Sequence, residues 1–111
     1  MKFIETPKFT DIITKLLKDD QYKELQEYLI KNPKAGATIP GTGGLRKLRW
    51  SLDGRGKRGG IRTLYYYADI HSVFFMIYAY PKNVTDNITQ KQAKELRGLI
   101  EIIKKELKDN G

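Results

Sequence analysis

Apolar residues recur along this chain with two different spacings, and the switches between them mark out the elements. Phe9, Ile12, Ile13, Leu16 and Leu17 fall at helical spacing and form one apolar face over about three turns. Thr6-Pro7 supplies an N-cap followed by proline at the first helical position. Asp19-Asp20 breaks this helix and caps a second, in which Tyr22, Leu25, Tyr28 and Leu29 share a face until Asn32-Pro33 stops it. Two helices joined so tightly predict an αα-hairpin, and Lys2–Glu5 ahead of them is a possible short edge strand.

Residues 33–44, PKAGATIPGTGG, carry no period and predict a loop. Beyond them the spacing becomes two. Over 45–52, Leu48, Trp50 and Leu52 take one side, and Lys47, Arg49 and Ser51 the other, predicting a strand with a dry face and a charged face. Ile61–Ala68, rich in aromatic and β-branched residues, predicts a second strand, and the nearly all-apolar 73–80 a third that Pro81 ends. Connections this short require an antiparallel meander. Thr89-Gln90-Lys91-Gln92 then has capping-box spacing, and Ala93, Leu96, Ile100, Ile103 and Leu107 step by three and four along a last helix. Gly98 interrupts that helix at a cost of about 1 kcal/mol relative to alanine. The fold class is α+β: two helices, an antiparallel sheet of three or four strands, and a C-terminal helix.

Length and composition narrow the class further. The 111 residues fit one domain spanning 1–111. With no cysteine there are no disulfides and no thiolate metal sites. MKFIETPKFT lacks the apolar core of a secretory signal, and no stretch reaches the ~20 apolar residues of a membrane span. A cytoplasmic protein is expected, with no membrane partner.

Charge changes the picture most. Of the formal net charge of +8, residues 1–44 contribute +1 (seven basic, six acidic) and residues 63–111 also +1 (seven basic, six acidic). The remaining +6 lies in 45–62, where Arg46, Lys47, Arg49, Arg55, Lys57, Arg58 and Arg62 face only Asp53. Four of these cations fall in SLDGRGKRGGIRTLYYY, a connection longer and more charged than a tight hairpin needs. So focused a patch is the footprint expected for a phosphate-rich partner; a basic surface without a partner is the plainer reading.

Several chemistries are excluded. A P-loop needs Gly-Lys followed by Ser or Thr at a helix start, whereas Gly44 leads through Leu45-Arg46-Lys47 into a strand. The single histidine, His71, sits in the turn at 69–72 and cannot make a histidine pair, a Ser-His-Asp triad or a His-rich metal site. What survives is lysine, arginine and tyrosine. Lys47 and Arg49 project together, Arg62 returns alongside them, and Lys82 could close the cluster with Tyr80 beside it. Clustered cations lower one another's proton affinity, and a lysine depressed from about 10.4 toward 7–8 serves as a general base. The others could hold a phosphate and stabilise its extra charge in a five-coordinate phosphorane. RNA supplies its own 2′-OH nucleophile, and a tyrosine can stack on a base, although Tyr65 and Tyr67 fit sheet packing better.

GTGGLRKLRW, GRGKRGGIRTLYYY and Tyr80-Pro81-Lys82-Asn83, in this order and spacing, resemble the RelE/HigB toxins of bacterial type II toxin–antitoxin modules. The resemblance spans about Asn32 to Leu107 and is nearest the HigB-type branch with a Gly-Thr-Gly-Gly-Leu-Arg-Lys signature. It implies a ribosome-dependent, metal-free and cofactor-free endoribonuclease acting on translated mRNA. It also implies a cognate antitoxin of helix-turn-helix type, through which the complex reaches operator DNA. Carried onto this sequence, it makes Lys47 and Arg49 the paired basic positions, Arg62 the arginine at the scissile phosphate, and Lys82 the lysine after the last strand. The chain departs from the family at Asn87-Ile88-Thr89, where RelE has a functional tyrosine, leaving Tyr80 as its substitute. Pro81 replaces a glycine common in relatives, and Val84 stands where they carry an acid. Arg46, Arg55, Lys57 and Arg58 are expected to grip RNA backbone. A basic module that binds RNA or a ribosome without cutting, and a decayed toxin keeping only antitoxin binding, would want the same charged face.

Overall fold

In the computed structural model, which describes residues 1–51, 60–82 and 87–110, the chain runs β1 (Lys2–Glu5), α1 (Pro7–Leu16), α2 (Asp19–Lys31), β2 (Ala37–Thr38), β3 (Arg46–Trp50), β4 (Ile61–Ala68), β5 (Val73–Pro81) and α3 (Gln90–Asn110). A single 3₁₀ turn, Asp69–His71, joins β4 to β5. The strands form one sheet in the order β1-β5-β4-β3-β2. Its centre is the expected antiparallel meander of β3, β4 and β5.

The sheet has five strands where the sequence indicates three or four: the possible edge strand Lys2–Glu5 is present, β2 is an addition, and both edges have local causes. Residues 33–44 are not all loop. Gly41, Gly43 and Gly44 take φ of 77°, 76° and 114°, which folds the chain back so that Ile39 N donates to the Leu45 carbonyl at 2.8 Å. Thr42 is buried inside this reversal, its Oγ1 donating to the Ile39 carbonyl at 2.6 Å. Glycines that could suggest a phosphate cradle are thus used to turn β2 onto β3.

At the other edge β1 joins β5 in parallel, making the sheet mixed. The residue that follows β1, Thr6, holds the strand there: its N–H donates to the Met76 carbonyl at 3.0 Å and its Oγ1 to the Ile77 carbonyl at 2.7 Å. The same Oγ1 accepts from Phe9 N at 3.0 Å, so one threonine caps α1 and docks it on the sheet. In α2 the two aspartates lie in the first turn rather than at the cap, where they suit the positive end of the helix dipole. Lys18 is the capping position, and its N–H donates to Gln21 Oε1 at 2.8 Å.

Helices cover both faces of the sheet. On one, Phe9, Ile13, Leu17, Leu25 and Leu29 pack on Leu48, Ile61, Tyr65, Phe74, Met76 and Ala79. On the other, Ile100 with Leu96, Leu99 and Ile103 packs on Leu45, Leu64, Ile77 and Tyr80. A bulge lets β5 serve both layers: Leu64 pairs with Tyr78 but Tyr65 with Met76, leaving Ile77 as the extra residue. Ile77 and Tyr78 therefore both face α3, between Met76 and Ala79 on the opposite side.

The tyrosine run divides as expected. Tyr65 is buried, and its hydroxyl donates to the Pro33 carbonyl at 2.8 Å while accepting from Gly36 N at 3.0 Å. Burial pushes its phenol above the ordinary tyrosine range. Tyr67 stacks on Phe74 with ring centroids 4.6 Å apart. The capping box of α3 is present, with Thr89 N donating to Gln92 Oε1 at 2.9 Å and Gln92 N to Thr89 Oγ1 at 3.1 Å.

Candidate functional site

Strand alternation decides which cations meet. On β3, Leu48 and Trp50 belong to the α1/α2 layer, so Lys47 and Arg49 take the α3 side with Leu45. On β4, Ile61 and Tyr65 belong to the first layer and Leu64 and Tyr66 to the second, which puts Arg62 on the α3 side as well. Register then aligns them. Arg49 pairs directly with Arg62, and Arg62 with Tyr80, giving a row Arg49–Arg62–Tyr80 across three neighbouring strands. The next row is Lys47–Leu64–Tyr78. Directly opposed residues have Cβ atoms about 5 Å apart, and like charges so placed are destabilising. A sheet selected for stability alone would not set Arg49 against Arg62.

The face is less open than its polar pattern indicates. The apolar stripe of α3 needs a sheet face to cover, and the face carrying Lys47, Arg49 and Arg62 is the one left to it. Arg49 remains exposed and Lys47 half-buried, but Arg62 is only 2% exposed, the largest fully buried side chain among the described residues. Tyr80 is also 2% exposed, its ring lying within the α3-side core 5.9 Å from that of Tyr78. In this state Tyr80 presents no free face for a base. Lys82 stands one residue beyond the Ile61–Pro81 pair, half-buried, its N–H donating to the Gly60 carbonyl at 3.2 Å, so its backbone extends the β4–β5 ladder past that pair.

Arg46 does not join this group. Alternation sends it to the opposite side from Lys47 and Arg49, and its guanidinium donates to the Gly36 carbonyl at 2.7 Å and to that of Lys34 at 3.2 Å. It secures the segment that enters β2. Arg55, Lys57 and Arg58 lie outside the described residues, as do Leu52 and Asn83. His71 is exposed in its turn, as the sequence indicates.

One neighbour of the cluster, noted in the sequence only as a departure from the family pattern, has no residue signal for its contact. Asn87, three residues before α3, accepts a hydrogen bond at its Oδ1 from Lys47 Nζ at 2.9 Å, across 40 positions of chain. Only the return of the chain past β5 toward the start of α3 brings the two together. As a chemical unit, the site has one exposed arginine, Arg49, one buried arginine, Arg62, paired with it, and Lys47 on the same face.

Residues 9–110 match a family described as the RelE toxin of the RelE/RelB toxin–antitoxin system. A solved structure of E. coli toxin RelE, a double arginine-to-alanine mutant in the free state, is similar to this chain with a TM-score of 0.54 and 18% sequence identity. The match covers 77% of this chain and 86% of that one, and at this identity the likeness is one of fold.

Proposed function

The chain belongs to the RelE toxin family of RelE/RelB toxin–antitoxin systems, and from that premise we propose that it is a ribosome-dependent endoribonuclease cutting translated mRNA. The Arg49–Arg62 pair with Lys47 beside it is the observation that supports this most. In the reaction, a base removes the proton of a ribose 2′-OH and that oxygen attacks the adjacent phosphorus. The P–O5′ bond breaks, and the departing 5′ oxygen takes up a proton, leaving a 2′,3′-cyclic phosphate and a 5′-hydroxyl. Arg49 and Arg62 hold the non-bridging oxygens and offset the charge that builds on them. Lys47 and Lys82 are the candidates for moving the protons, and the reaction as written needs no metal or cofactor. Tyr80 flanks Arg62 at the β5 end of the row, and Arg55, Lys57 and Arg58 hold RNA backbone.

The GTGGLRK motif supports placement in the HigB-like branch. A helix-turn-helix antitoxin, operator binding through that antitoxin and a cytoplasmic location follow from that placement. Among the described residues no helix is long and apolar enough to cross a membrane. The burial of Arg62 and Tyr80 favours a second reading, a basic module that binds RNA or a ribosome without cutting.

Purified protein added to ribosomes translating a defined mRNA separates the two. Nuclease action gives new 5′ ends mapping inside codons, and Arg49→Ala or Arg62→Gln then lowers the cutting rate by roughly 100-fold with an unchanged circular dichroism spectrum. Ribosome association with no new ends supports the binding-only reading.

A further inference from the structure

The Lys47–Asn87 hydrogen bond joins the middle of the charged strand to the segment that launches α3. Resting on the nuclease reading above, we propose that Asn87 is a positioning residue. It holds the Lys47 amino group on the sheet face that carries Arg49 and Arg62, and adds no charge of its own there.

The argument begins with chain geometry. Lys47 lies two residues from Arg49 on one strand, so their side chains leave the same face about 7 Å apart. A lysine has four rotatable side-chain bonds and can aim its nitrogen in many directions. A reacting group must stay within a few tenths of an ångström of its working place, and misplacement by 1 Å can cost 100-fold. Something has to restrict the lysine, and the Asn87 amide oxygen at 2.9 Å does so. Asn87 is itself fixed from the next element, since Thr89, two residues on, is locked by the reciprocal capping bonds with Gln92 at 2.9 and 3.1 Å.

The choice of acceptor matters as much as its position. A carboxylate is the ordinary partner for an ammonium and would bind it more strongly. Placed here it would remove one unit of the charge that attracts a phosphate. An amide accepts from the ammonium or from the neutral amine and contributes no net charge. Asn87 thus supplies direction alone, which a residue that must both face phosphate and exchange a proton requires.

The test combines Asn87→Ala, Asn87→Asp and Asn87→Gln with Lys47→Met in the translating-ribosome assay. Asn87→Ala should lower kcat about tenfold and change KM less than twofold, because the arginines that hold the phosphate are untouched. Asn87→Asp should lower kcat and also raise KM. Asn87→Gln, which keeps the amide, should recover much of the Asn87→Ala loss. Lys47→Met should cost less in the Asn87→Ala background than in the parent, since both changes act through the same amino group. A second readout needs no cutting: side-chain NMR relaxation should find the Lys47 amino group more ordered than that of exposed Lys91, and measurably less ordered once Asn87 is alanine. Fully additive losses, parental kcat in all three variants, or a Lys47 as mobile as Lys91 in the parent would each overturn the proposal while leaving the nuclease reading intact. A parent that never cuts overturns that reading, and Asn87's role with it.

Discussion

Arg62 and Thr63 are consecutive on β4, both sealed from solvent, and face opposite layers of the molecule. Alternation alone shows that Lys47, Arg49 and Arg62 share a side, because period two is written directly in the residues. How deeply Arg62 lies is not written there: it is buried on the side of the sheet that α3, from the far end of the chain, also packs against. Arg46 is the complementary case. One position from Lys47 in a basic run, it is indistinguishable by composition, yet the pleat turns it away and two carbonyls engage it. Thr63 carries a cost with no visible return. Its Oγ1 is buried without a hydrogen-bond partner, in register with Leu48 on one side and Ala79 on the other. An unsatisfied buried hydroxyl costs about 1–3 kcal/mol, and valine fills nearly the same shape. Thr63→Val should therefore raise stability by about 1 kcal/mol, measured as a higher urea midpoint at unchanged slope. A lower midpoint would mean that the hydroxyl is bonded after all.

At the scale of elements, the helices and the three central strands are legible because each has one strong period and a recognisable start or stop. Ile61–Ala68 is bounded as its residues indicate, and Thr6 and Thr89 cap as their spacing requires. What escaped were elements made by partners rather than by propensity. β2 is two residues long and exists because three glycines turn the chain; β1 is the edge strand indicated at Lys2–Glu5, and only its parallel pairing with β5, anchored by Thr6, was not legible. The Ile77 bulge leaves no mark in a strand that is apolar almost throughout. Two glycines show how the same substitution changes sign with its element. A Cβ on Gly60 would come within 2.5 Å of the Trp50 carbonyl oxygen, a backbone atom that cannot move without opening the β3–β4 ladder. Gly60→Ala should cost on the order of 2 kcal/mol. Gly98, inside α3, has no atom within 4 Å of the same position. Gly98→Ala should gain about 1 kcal/mol from helix propensity. Thermal melts of the two variants moving in the same direction would contradict this account.

Across the whole molecule, the fold gathers on one side of the sheet a charge that the sequence gathers in one segment. Six of the eight net positive charges fall within 45–62, and the described members Lys47, Arg49 and Arg62 all take the α3 side. If RNA is held there, each phosphate contact releases counterions, and the slope of log K against log salt reports how many contacts form. For single strands that slope is about 0.7 per phosphate, so converting Lys57 and Arg58 together to glutamine should flatten it by roughly 1.4. Arg49→Ala should take away about 0.7 more. The control removes the same charge from elsewhere: Lys23 and Lys31 are exposed on or at the end of α2, across the sheet from the arginine row. A Lys23→Gln/Lys31→Gln variant has the net charge of the Lys57→Gln/Arg58→Gln variant. It should lose affinity only through the long-range field, which a Debye length of about 8 Å at physiological salt largely screens. Equal flattening in the two double variants would show that total charge, and not its focus at 45–62, governs binding, and the arginine row would then have no special claim on the phosphate.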